Sequence, residues 1–380
     1  MAIYLDHAAT TPMTPEVLAA YTAALGLAGN PSSIHSQGQA ARRMLEDARL
    51  AVAEAVGAEP VEITFTSGGT ESINLAIKGL FWGAGPGRNR ILSTRAEHHA
   101  TIDSLEWLEN HEGAVIEWIP VDATGRIDLA ALGSALGPDV ALVTTLLANN
   151  EVGTLQPVRE ISALAAIHGV PVHVDAVSAF GSVPVDFSSL GAAAMSVSAH
   201  KVGGPVGVGA LILGRGASVT PLLHGGNQQR ARSGTMDAAG AHAFGVAATA
   251  AERELSRVDE LRALRDRLIE GVQARVPSAV LRGDPVDRLP GNAHFTFPGC
   301  EGDSLLFLLD AAGFSVSTGS ACQAGVPEAS HVLLAMGLSE PDARGALRFT
   351  LGHTTTVEEI DALLETLAGV VDRARSAGLS

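Results

Sequence analysis

The stretch that decides the fold reads Ala194-Met-Ser-Val-Ser-Ala-His-Lys-Val-Gly-Gly-Pro-Val-Gly207. It predicts an apolar strand that delivers Ser198, His200 and Lys201 together, followed by a glycine-rich turn where backbone can approach a flat ligand closely. Desolvation at such a place lowers the pKa of a lysine and leaves a neutral amine that can react with an aldehyde. A loop lysine beside a turn is the alternative interpretation, so the rest of the chain must decide.

On both sides of this stretch, short β-rich runs alternate with amphipathic helical patterns. The pattern predicts an α/β fold in which a mostly parallel, seven-stranded sheet lies between helices. From residue 238 to 276 it predicts one long helix that leads into a smaller α+β C-terminal domain, with a boundary near residue 255. The predicted strands cover residues 62–66, 90–94, 115–120, 140–147, 170–175, 193–198 and 208–213.

Composition excludes several classes of protein. The 380 residues carry 25 basic and 41 acidic side chains, a net charge of −16, which disfavours nucleic acid or an anionic membrane as a partner. The apolar stretch at 238–251 is shorter than the roughly 20 residues that span a bilayer, and the first residues do not resemble a signal peptide. We therefore expect a cytoplasmic protein. Two cysteines, Cys300 and Cys322, are too few for a disulfide framework.

Three candidate ligand groups lie at predicted strand ends, where open α/β sheets bind their ligands. The turn Thr64-Phe-Thr-Ser-Gly-Gly-Thr-Glu71 opens a helix near Thr70, and its N–H groups would hold a phosphate. Asp175 closes an apolar strand, and a pyridoxal phosphate (PLP) ring needs one acid at its pyridine nitrogen. Lys201 is the third. Singly, the turn could be a mere helix cap and Asp175 a turn cap; together they point to PLP.

Ten motifs, in this order and spacing, make the chain resemble PLP-dependent enzymes of the class V aminotransferase group, and more closely cysteine desulfurases of the NifS/IscS type. The resemblance covers nearly the whole chain. The motifs are Tyr4-Leu-Asp-His-Ala-Ala-Thr-Thr-Pro12, Gly29-Asn-Pro-Ser-Ser33, Phe65-Thr-Ser-Gly-Gly-Thr-Glu-Ser72, Ala96-Glu-His98, Ala148-Asn-Asn-Glu-Val-Gly153, Val174-Asp-Ala176, Ser198-Ala-His-Lys201, Arg232-Ser-Gly-Thr235, Ser317-Thr-Gly-Ser-Ala-Cys322 and Leu347-Arg-Phe-Thr-Leu-Gly352.

The resemblance implies a PLP-dependent transferase of fold type I, with residues 1–14 packing against the small domain, 15–255 as the large PLP-binding domain and 256–380 as the small domain that carries the catalytic cysteine. It implies that Lys201 binds the cofactor covalently, that Asp175 partners the pyridine nitrogen and that His98 stacks on the ring and takes part in catalysis. The other implied cofactor-binding residues are Gly69, Thr70, Asn150, Ser178, Ser198, His200 and Thr235.

Substrate and partners follow from the same resemblance. Arg348 is expected to bind the carboxylate of L-cysteine, a role suited to a planar fork of donors, and Asn30 to assist. Cys322, in a loop of small residues, is expected to be the exposed nucleophile that accepts sulfur, whereas Cys300 matches no motif and is interpreted as a packing residue. Thr235 is expected to reach the phosphate site of the other subunit of a homodimer.

The predicted function is a cysteine desulfurase that converts L-cysteine to L-alanine and passes the sulfur, as a persulfide on Cys322, to an acceptor or iron–sulfur scaffold protein. Ser178 departs from the family, because many relatives carry glutamine there. No metal site is expected, since His98, His99 and His111 lack carboxylate or cysteine partners at metal spacing.

Three alternatives stay open. The first is another class V enzyme, namely an aminotransferase, a selenocysteine lyase or a C–S lyase. The second is a non-catalytic sulfur-relay protein on the same fold. The third is a dinucleotide-dependent oxidoreductase, which is disfavoured because no Gly-x-Gly-x-x-Gly follows a first strand.

Overall fold

The computed structural model describes residues 2–319 and 329–378. In chain order the strands are β1 Ile3–Tyr4, β2 Ile63–Thr66, β3 Arg90–Ser93, β4 Val115–Trp118, β5 Val140–Leu146, β6 Val172–Asp175, β7 Ala194–Ser198, β8 Gly209–Leu213, β9 Val280–Arg282, β10 Asn292–Thr296, β11 Phe314–Ser315 and β12 Ala346–Thr350. The helices are α1 Pro15–Leu25, α2 Ser36–Ala55, α3 Gly69–Trp82, α4 His99–Glu112, α5 Leu129–Ala135, α6 Val158–Ile167, α7 Phe187–Leu190, α8 Ala238–Glu254, α9 Val258–Arg275, α10 Gly302–Ala311, α11 His331–Ala335, α12 Glu340–Arg344 and α13 Val357–Gly378.

Seven strands form one sheet in the order β2-β8-β7-β6-β5-β3-β4. The sheet is parallel except for β8, which is antiparallel to both β2 and β7. Every residue of β5, β6, β7 and β8 is buried, because helices cover both faces of such a sheet and long apolar runs of Val, Ile, Leu and Ala suit that position. The predicted α/β fold with a mostly parallel seven-stranded sheet is therefore confirmed.

The sheet brings two of the candidate residues together. Strands β6 and β7 are parallel neighbours, with Asp175 opposite Ser196 in the register. Because parallel strands end at the same edge, Asp175 at the end of β6 lies beside the turn of 3₁₀-helix Ala199–Val202 that follows β7 and contains Lys201. This edge of the sheet positions the candidate site.

A second, smaller sheet lies in the C-terminal part, with β10 between β12 and β9 and antiparallel to both. Its apolar face packs against α9, α10 and α13 in a separate core cluster, which also contains Leu5. Strand β1 pairs in parallel with β11, so the N-terminal segment joins this part of the molecule. The division at residues 14 and 255 stays a prediction.

The long helix predicted over 238–276 is interrupted. Helices α8 and α9 are separated by a 3₁₀ turn over Leu255–Arg257. Within it the Ser256 hydroxyl donates a hydrogen bond of 2.7 Å to the Arg253 carbonyl, the kind of local side-chain contact that competes with helical hydrogen bonding. Across the described residues, no helix has both the length and the apolar character needed to cross a membrane.

Candidate active site

Lys201 lies in a partly buried position at the sheet edge. Its ammonium donates hydrogen bonds to the main-chain carbonyls of Ala9, at 3.1 Å, and Ala8. Burial is the main cause that lowers its pKa to about 8, and the nearby guanidinium of Arg348 lowers it further, while Asp175 and Asp6 act in the opposite direction. A substantial fraction of Lys201 is therefore a neutral, nucleophilic amine at mildly alkaline pH.

Asp175 is an almost fully buried carboxyl group at the end of β6. One of its oxygens accepts a hydrogen bond of 2.9 Å from the Val177 N–H. Burial raises the pKa of Asp175 to about 6, although Lys201 and the N–H group oppose that shift. Its side chain is thus suited to share a charge with a cationic ring nitrogen, which would stabilise the ionised carboxylate.

A second buried acid, Glu97, lies near Asp175 and was not predicted from the sequence. Burial is the main cause that raises its pKa well above the usual range, and the neighbouring Asp175 adds to the shift. The Thr94 hydroxyl hydrogen-bonds one carboxyl oxygen at 2.9 Å, and the other oxygen has no partner among the described residues. Burial and the neighbouring Asp175 thus both favour the protonated form of Glu97.

His98 is the N-cap of α4, where its Nδ1 accepts a hydrogen bond of 3.0 Å from the Ala100 N–H. His98 has an exposed surface, but the protein atoms packed around it desolvate the ring, and this desolvation, with a further contribution from Lys201, lowers the pKa of His98 to about 4. The imidazole is thus neutral. A neutral aromatic ring at this place is suited to pack against another flat ring.

The glycine turn before α3 and the end of β7 form a cradle. A side chain at Gly69 would lie 2.8 Å from Cγ2 of Val177 and 3.6 Å from Cβ of Ser198, which explains why glycine is required for this close approach. The Ser198 hydroxyl oxygen is buried and has no partner among the described residues. Thr70 lies exposed in the first turn of α3, whose free N–H groups suit an anion.

His200 follows Ser198 and contributes to the same edge. Its Nδ1 lies 3.4 Å from the Thr10 hydroxyl. Burial, together with the neighbouring Lys201, lowers the pKa of His200 to about 4, so its ring is neutral and offers hydrogen bonds rather than charge.

Asn150 and Ser178 border a cavity of about 190 Å³ next to Lys201. The side-chain oxygen of Asn150 is buried without a partner among the described residues, so it is available to a ligand. The cavity is also lined by Glu254 at the end of α8, Arg257 in the turn before α9 and His353 after β12. The short side chain of Ser178 leaves this space open.

The second sheet contributes Arg348, on β12, to the site. It is 5% exposed, and its terminal nitrogens donate to the Asn150 carbonyl at 2.8 Å and to Asp6 Oδ1 at 2.9 Å. Its Nε is buried and unpartnered within the described part of the chain. That N–H can bind a further acceptor, such as a substrate carboxylate.

Three predicted residues are not joined to these side chains by any described contact. Asn30 is exposed between α1 and α2, and its side chain accepts a hydrogen bond of 2.9 Å from the Ser32 N–H. Thr235 is exposed in the loop before α8. Cys322 lies in 320–328, outside the described residues. The other cysteine, Cys300, is buried, with its sulfur 3.8 Å from the Val371 carbonyl oxygen.

The assembled residues fit PLP. Ser198 and the N-terminus of α3 offer unpartnered donors to a phosphate, Asp175 offers a buried carboxyl group to a pyridinium nitrogen, and Asn150 offers a side-chain amide whose oxygen is unpartnered. Lys201 offers the amine. Among the described residues no cluster of histidine, cysteine and acidic side chains is placed to hold a metal ion.

Comparison with known proteins places this site in a family. Residues 3–363 match the model of the family described as aminotransferase class-V. An IscS-like cysteine desulfurase of Mycobacterium tuberculosis is 53% identical over 99% of this chain and 98% of the relative. A solved NifS-like protein superimposes with a TM-score of 0.92 at 34% identity, covering 98% of this chain and all of the other. A structure of SspA in complex with cysteine gives a TM-score of 0.81 at 31% identity over 92% and 98% of the two chains.

The similarity in sequence extends over almost the full length of each relative. The structural superposition with the NifS-like protein covers 98% of this chain and therefore includes both sheets. The class V family and its cysteine desulfurases use PLP, which is the cofactor that the residues around Lys201 fit. The chain therefore belongs to the class V aminotransferase family and, within it, to the IscS- and NifS-like cysteine desulfurases.

Proposed function

We propose that this protein is a PLP-dependent cysteine desulfurase that removes sulfur from L-cysteine, leaves L-alanine and holds the sulfur as a persulfide on Cys322. The observation that carries the proposal is the meeting of a desolvated Lys201 with the buried Asp175 and Arg348 at one edge of the sheet. The relatives named above are cysteine desulfurases, and one solved relative was obtained with cysteine.

Residues of the cradle would hold the cofactor, with Ser198, Gly69 and Thr70 at its phosphate, Asp175 at its ring nitrogen and His98 against its ring. When bound, PLP withdraws electrons from the substrate carbon next to the amino group. Asp175 sustains that effect because an ionised carboxylate keeps the ring nitrogen protonated.

Lys201 is the proton carrier of the proposed reaction. Its pKa of about 8 means that the side chain both accepts and releases a proton near neutral pH. We assign to its Nζ the removal of the proton from the substrate α-carbon. The carbonyls of Ala8 and Ala9, which accept hydrogen bonds from Nζ, would hold the resulting ammonium.

Arg348 would bind the carboxylate of L-cysteine through its free Nε–H and the remaining hydrogens of its terminal nitrogens. The Asn150 carbonyl fixes the plane of the guanidinium. A buried, oriented arginine suits a planar carboxylate better than a lysine would. This contact would select an α-amino acid with a free carboxylate.

The sulfur-transfer step is balanced as follows. The Cys322 thiolate attacks the sulfur of the substrate, a sulfur–sulfur bond forms, and the bond between that sulfur and the substrate β-carbon breaks. The electron pair of the broken bond stays with carbon, which takes a proton and becomes the methyl group of alanine. The two sulfur atoms are oxidised to the persulfide level and the β-carbon is reduced, so no further oxidant is needed.

The homodimer implied by the resemblance is part of the proposal, and Ile34, 91% exposed, and Val206, 76% exposed, would be available to a contact between subunits. In the proposed dimer, Thr235 would reach the phosphate site of the other subunit. Transfer of the sulfur to an acceptor or iron–sulfur scaffold protein, and a cytoplasmic location, are parts of the same proposal.

The proposal is tested by two cysteine variants assayed with L-cysteine. We expect purified protein with PLP to absorb visible light, to change its spectrum when L-cysteine is added and to release alanine and, with a thiol acceptor, sulfide. Cys322→Ala should lose sulfide release, whereas the matched control Cys300→Ala should keep it. Sulfide release by Cys322→Ala at the wild-type rate would contradict the persulfide role of Cys322. A spectrum that does not change when L-cysteine is added would contradict the proposed enzyme activity.

A further inference from the structure

His331, the first residue of α11, contacts both neighbours of His98 in the chain. Its Nε2 lies 2.8 Å from the main-chain carbonyl oxygen of Glu97. Because a carbonyl oxygen can only accept, Nε2 carries the proton and donates the hydrogen bond. The ring of His331 also packs against the ring of His99, with centroids 4.6 Å apart and planes tilted by 54°. One side chain of the C-terminal part thus contacts the residues on either side of His98.

The hydrogen bond from His331 ends on the peptide bond that joins Glu97 to His98. That peptide bond leads directly into the N-cap of α4, where Nδ1 of His98 accepts the Ala100 N–H at 3.0 Å. Since Nδ1 accepts, the proton of the neutral imidazole lies on Nε2. The cap contact fixes the ring relative to this backbone, so the position of the backbone decides where the ring of His98 and its Nε2–H lie.

Residues that follow strands of the large sheet hold the other side of this turn. The Ala96 carbonyl accepts a hydrogen bond of 2.8 Å from the side chain of Asn149, which follows β5. The hydroxyl of Thr94, which follows β3, donates to the carboxyl group of Glu97 at 2.9 Å. Together with His331, these contacts hold the turn between β3 and α4 from two parts of the molecule.

Helix α11 is itself anchored on both its polar and its apolar side. The hydroxyl of its N-cap, Ser330, accepts the Leu333 N–H at 3.2 Å and donates a hydrogen bond to the buried side chain of Glu151. Val332 and Leu333 are fully buried, and they belong to a small core cluster that also contains Ala96. The helix therefore presents its first side chain from a packed support, which is what a positioning contact requires.

We propose that His331 is a positioning residue for His98: through the Glu97 carbonyl and the His99 ring, it sets how the imidazole of His98 lies against the cofactor ring. This inference rests on the proposed function, which assigns His98 to the ring of PLP. His331 touches no reacting atom in it and acts only through the backbone that carries His98. Because misplacement of a catalytic group by 1 Å can cost about 100-fold in rate, even a small displacement of His98 should be measurable.

Two variants of His331 separate its two contacts. His331→Phe keeps a flat ring for His99 but cannot donate a hydrogen bond to the Glu97 carbonyl. His331→Gln keeps an N–H donor near the place of Nε2 and loses the ring. The matched control is His111→Phe, the same substitution at an exposed histidine in the last turn of α4.

Each variant is loaded with PLP and measured in three ways. The measurements are the rate at which PLP dissociates, the visible circular dichroism of the bound cofactor, and kcat and KM for alanine formation from L-cysteine. Thermal unfolding of each cofactor-free variant shows that it is folded. The PLP dissociation rate is also measured with His331→Phe added to His98→Ala, because a residue that acts through His98 has no further effect once that imidazole is removed.

We expect His331→Phe to release PLP about threefold to tenfold faster than the wild type, to change the circular dichroism and to lower kcat at least about tenfold with a smaller change in KM. His331→Gln should recover most of each loss. Added to His98→Ala, His331→Phe should leave the PLP dissociation rate unchanged.

Two results would overturn the inference: wild-type values in a folded His331→Phe, or an equal acceleration of PLP release by His331→Phe with and without His98. If His98→Ala alone keeps the wild-type kcat and PLP dissociation rate, the role of His98 in the proposed function fails, and this inference with it. If His98→Ala is impaired while His331→Phe is not, the proposed function stands and only this inference fails.

Discussion

The guanidinium of Arg348 lies 2.9 Å from the carboxylate of Asp6, across strands that are far apart in sequence. The residue expected to bind the carboxylate of the substrate is therefore already paired with a carboxylate of the protein. Asp6 is more exposed than Arg348, so the pair lies at the boundary between the cleft and the interior. The substrate must share Arg348 with Asp6.

Removal of the Asp6 charge should strengthen substrate binding. Asp6→Asn keeps an acceptor oxygen for Arg348 but no longer repels a second carboxylate, and a partly exposed charge contact of this kind contributes up to about 1 kcal/mol. We expect the KM for L-cysteine to fall by about threefold to fivefold. Steady-state kinetics measures this, with Glu160→Gln on the exposed face of α6 as the charge control. A raised KM would show that the charge of Asp6 orients Arg348 rather than competing for it.

The lowered pKa of Lys201 should govern cofactor uptake. The rate at which cofactor-free protein binds PLP should rise with pH through a midpoint near 8, because the neutral amine is the reacting form. Arg348→Gln removes a positive neighbour that lowers this pKa, so its midpoint should move to higher pH. Stopped-flow absorbance gives the profile. A midpoint near the ordinary lysine value of 10.5, or no shift in the variant, would contradict the account.

Buried histidines should make the cofactor-free protein sensitive to acid. The pKa of His294 and of His173 falls from 6.5 to about 3 on burial, so their contribution to stability is complete above pH 6.5 and is lost as the pH falls towards 3. Asp175 acts in the opposite direction: its raised pKa means a contribution that is complete below 3.8 and is lost as the pH rises through about 6.

Urea unfolding at several pH values tests this balance. Five histidines have a pKa lowered by burial to about 4 or less, against two acids, Asp175 and Glu97, whose pKa is raised, so the free energy of unfolding should increase with pH between 4 and 6.5. The histidines are His7, His98, His173, His200 and His294. His294→Gln should reduce the slope by up to about 1.4 kcal/mol per pH unit, since it removes one bound proton. His224→Gln, at an exposed histidine, is the matched control. An equal slope in both variants would show that His294 takes up no proton on unfolding.

Ser178→Gln should tighten cofactor binding. The longer side chain would extend into the cavity beside Asn150 and Lys201, where an amide can donate a hydrogen bond to the ring oxygen. One such bond is worth about 1 kcal/mol, so we expect PLP to dissociate about fivefold more slowly. Ser182→Gln, which also enters the cavity, is the control. Faster loss of PLP from Ser178→Gln would show that the cavity must stay unfilled for PLP to bind tightly.

The sequence was sufficient for the sheet because its strands depend on local patterns. Long apolar runs predicted the seven strands, and the ends of β6 and β7 carried Asp175 and Lys201 to one edge. Strands β1 and β11 are two residues each and show no periodicity, so their pairing was not predicted. The interruption after Glu254 was missed because the helical pattern continues through the 3₁₀ turn at Leu255–Arg257.

Contacts between distant parts of the chain were not predictable. Asp6 and Glu151 lie inside motifs that the sequence singled out, but only the fold shows that Asp6 pairs with Arg348 and that Glu151 accepts a hydrogen bond from Ser330. In the motif Ala96-Glu-His98, the sequence indicated a role for His98 and not for Glu97. Its burial raises its pKa well above the usual range, and no spacing in the sequence indicates that shift.

Detection of a sulfur atom bound to Cys322 is the measurement that tests the central claim most directly. Wild-type protein loaded with PLP is mixed with one equivalent of L-cysteine without an acceptor, and its peptides and small products are analysed by mass spectrometry. The account predicts one additional sulfur atom on the peptide that contains Cys322, none on the peptide that contains Cys300, and an equal amount of L-alanine. Alanine without added sulfur on Cys322, or pyruvate with free sulfide in place of alanine, would contradict it.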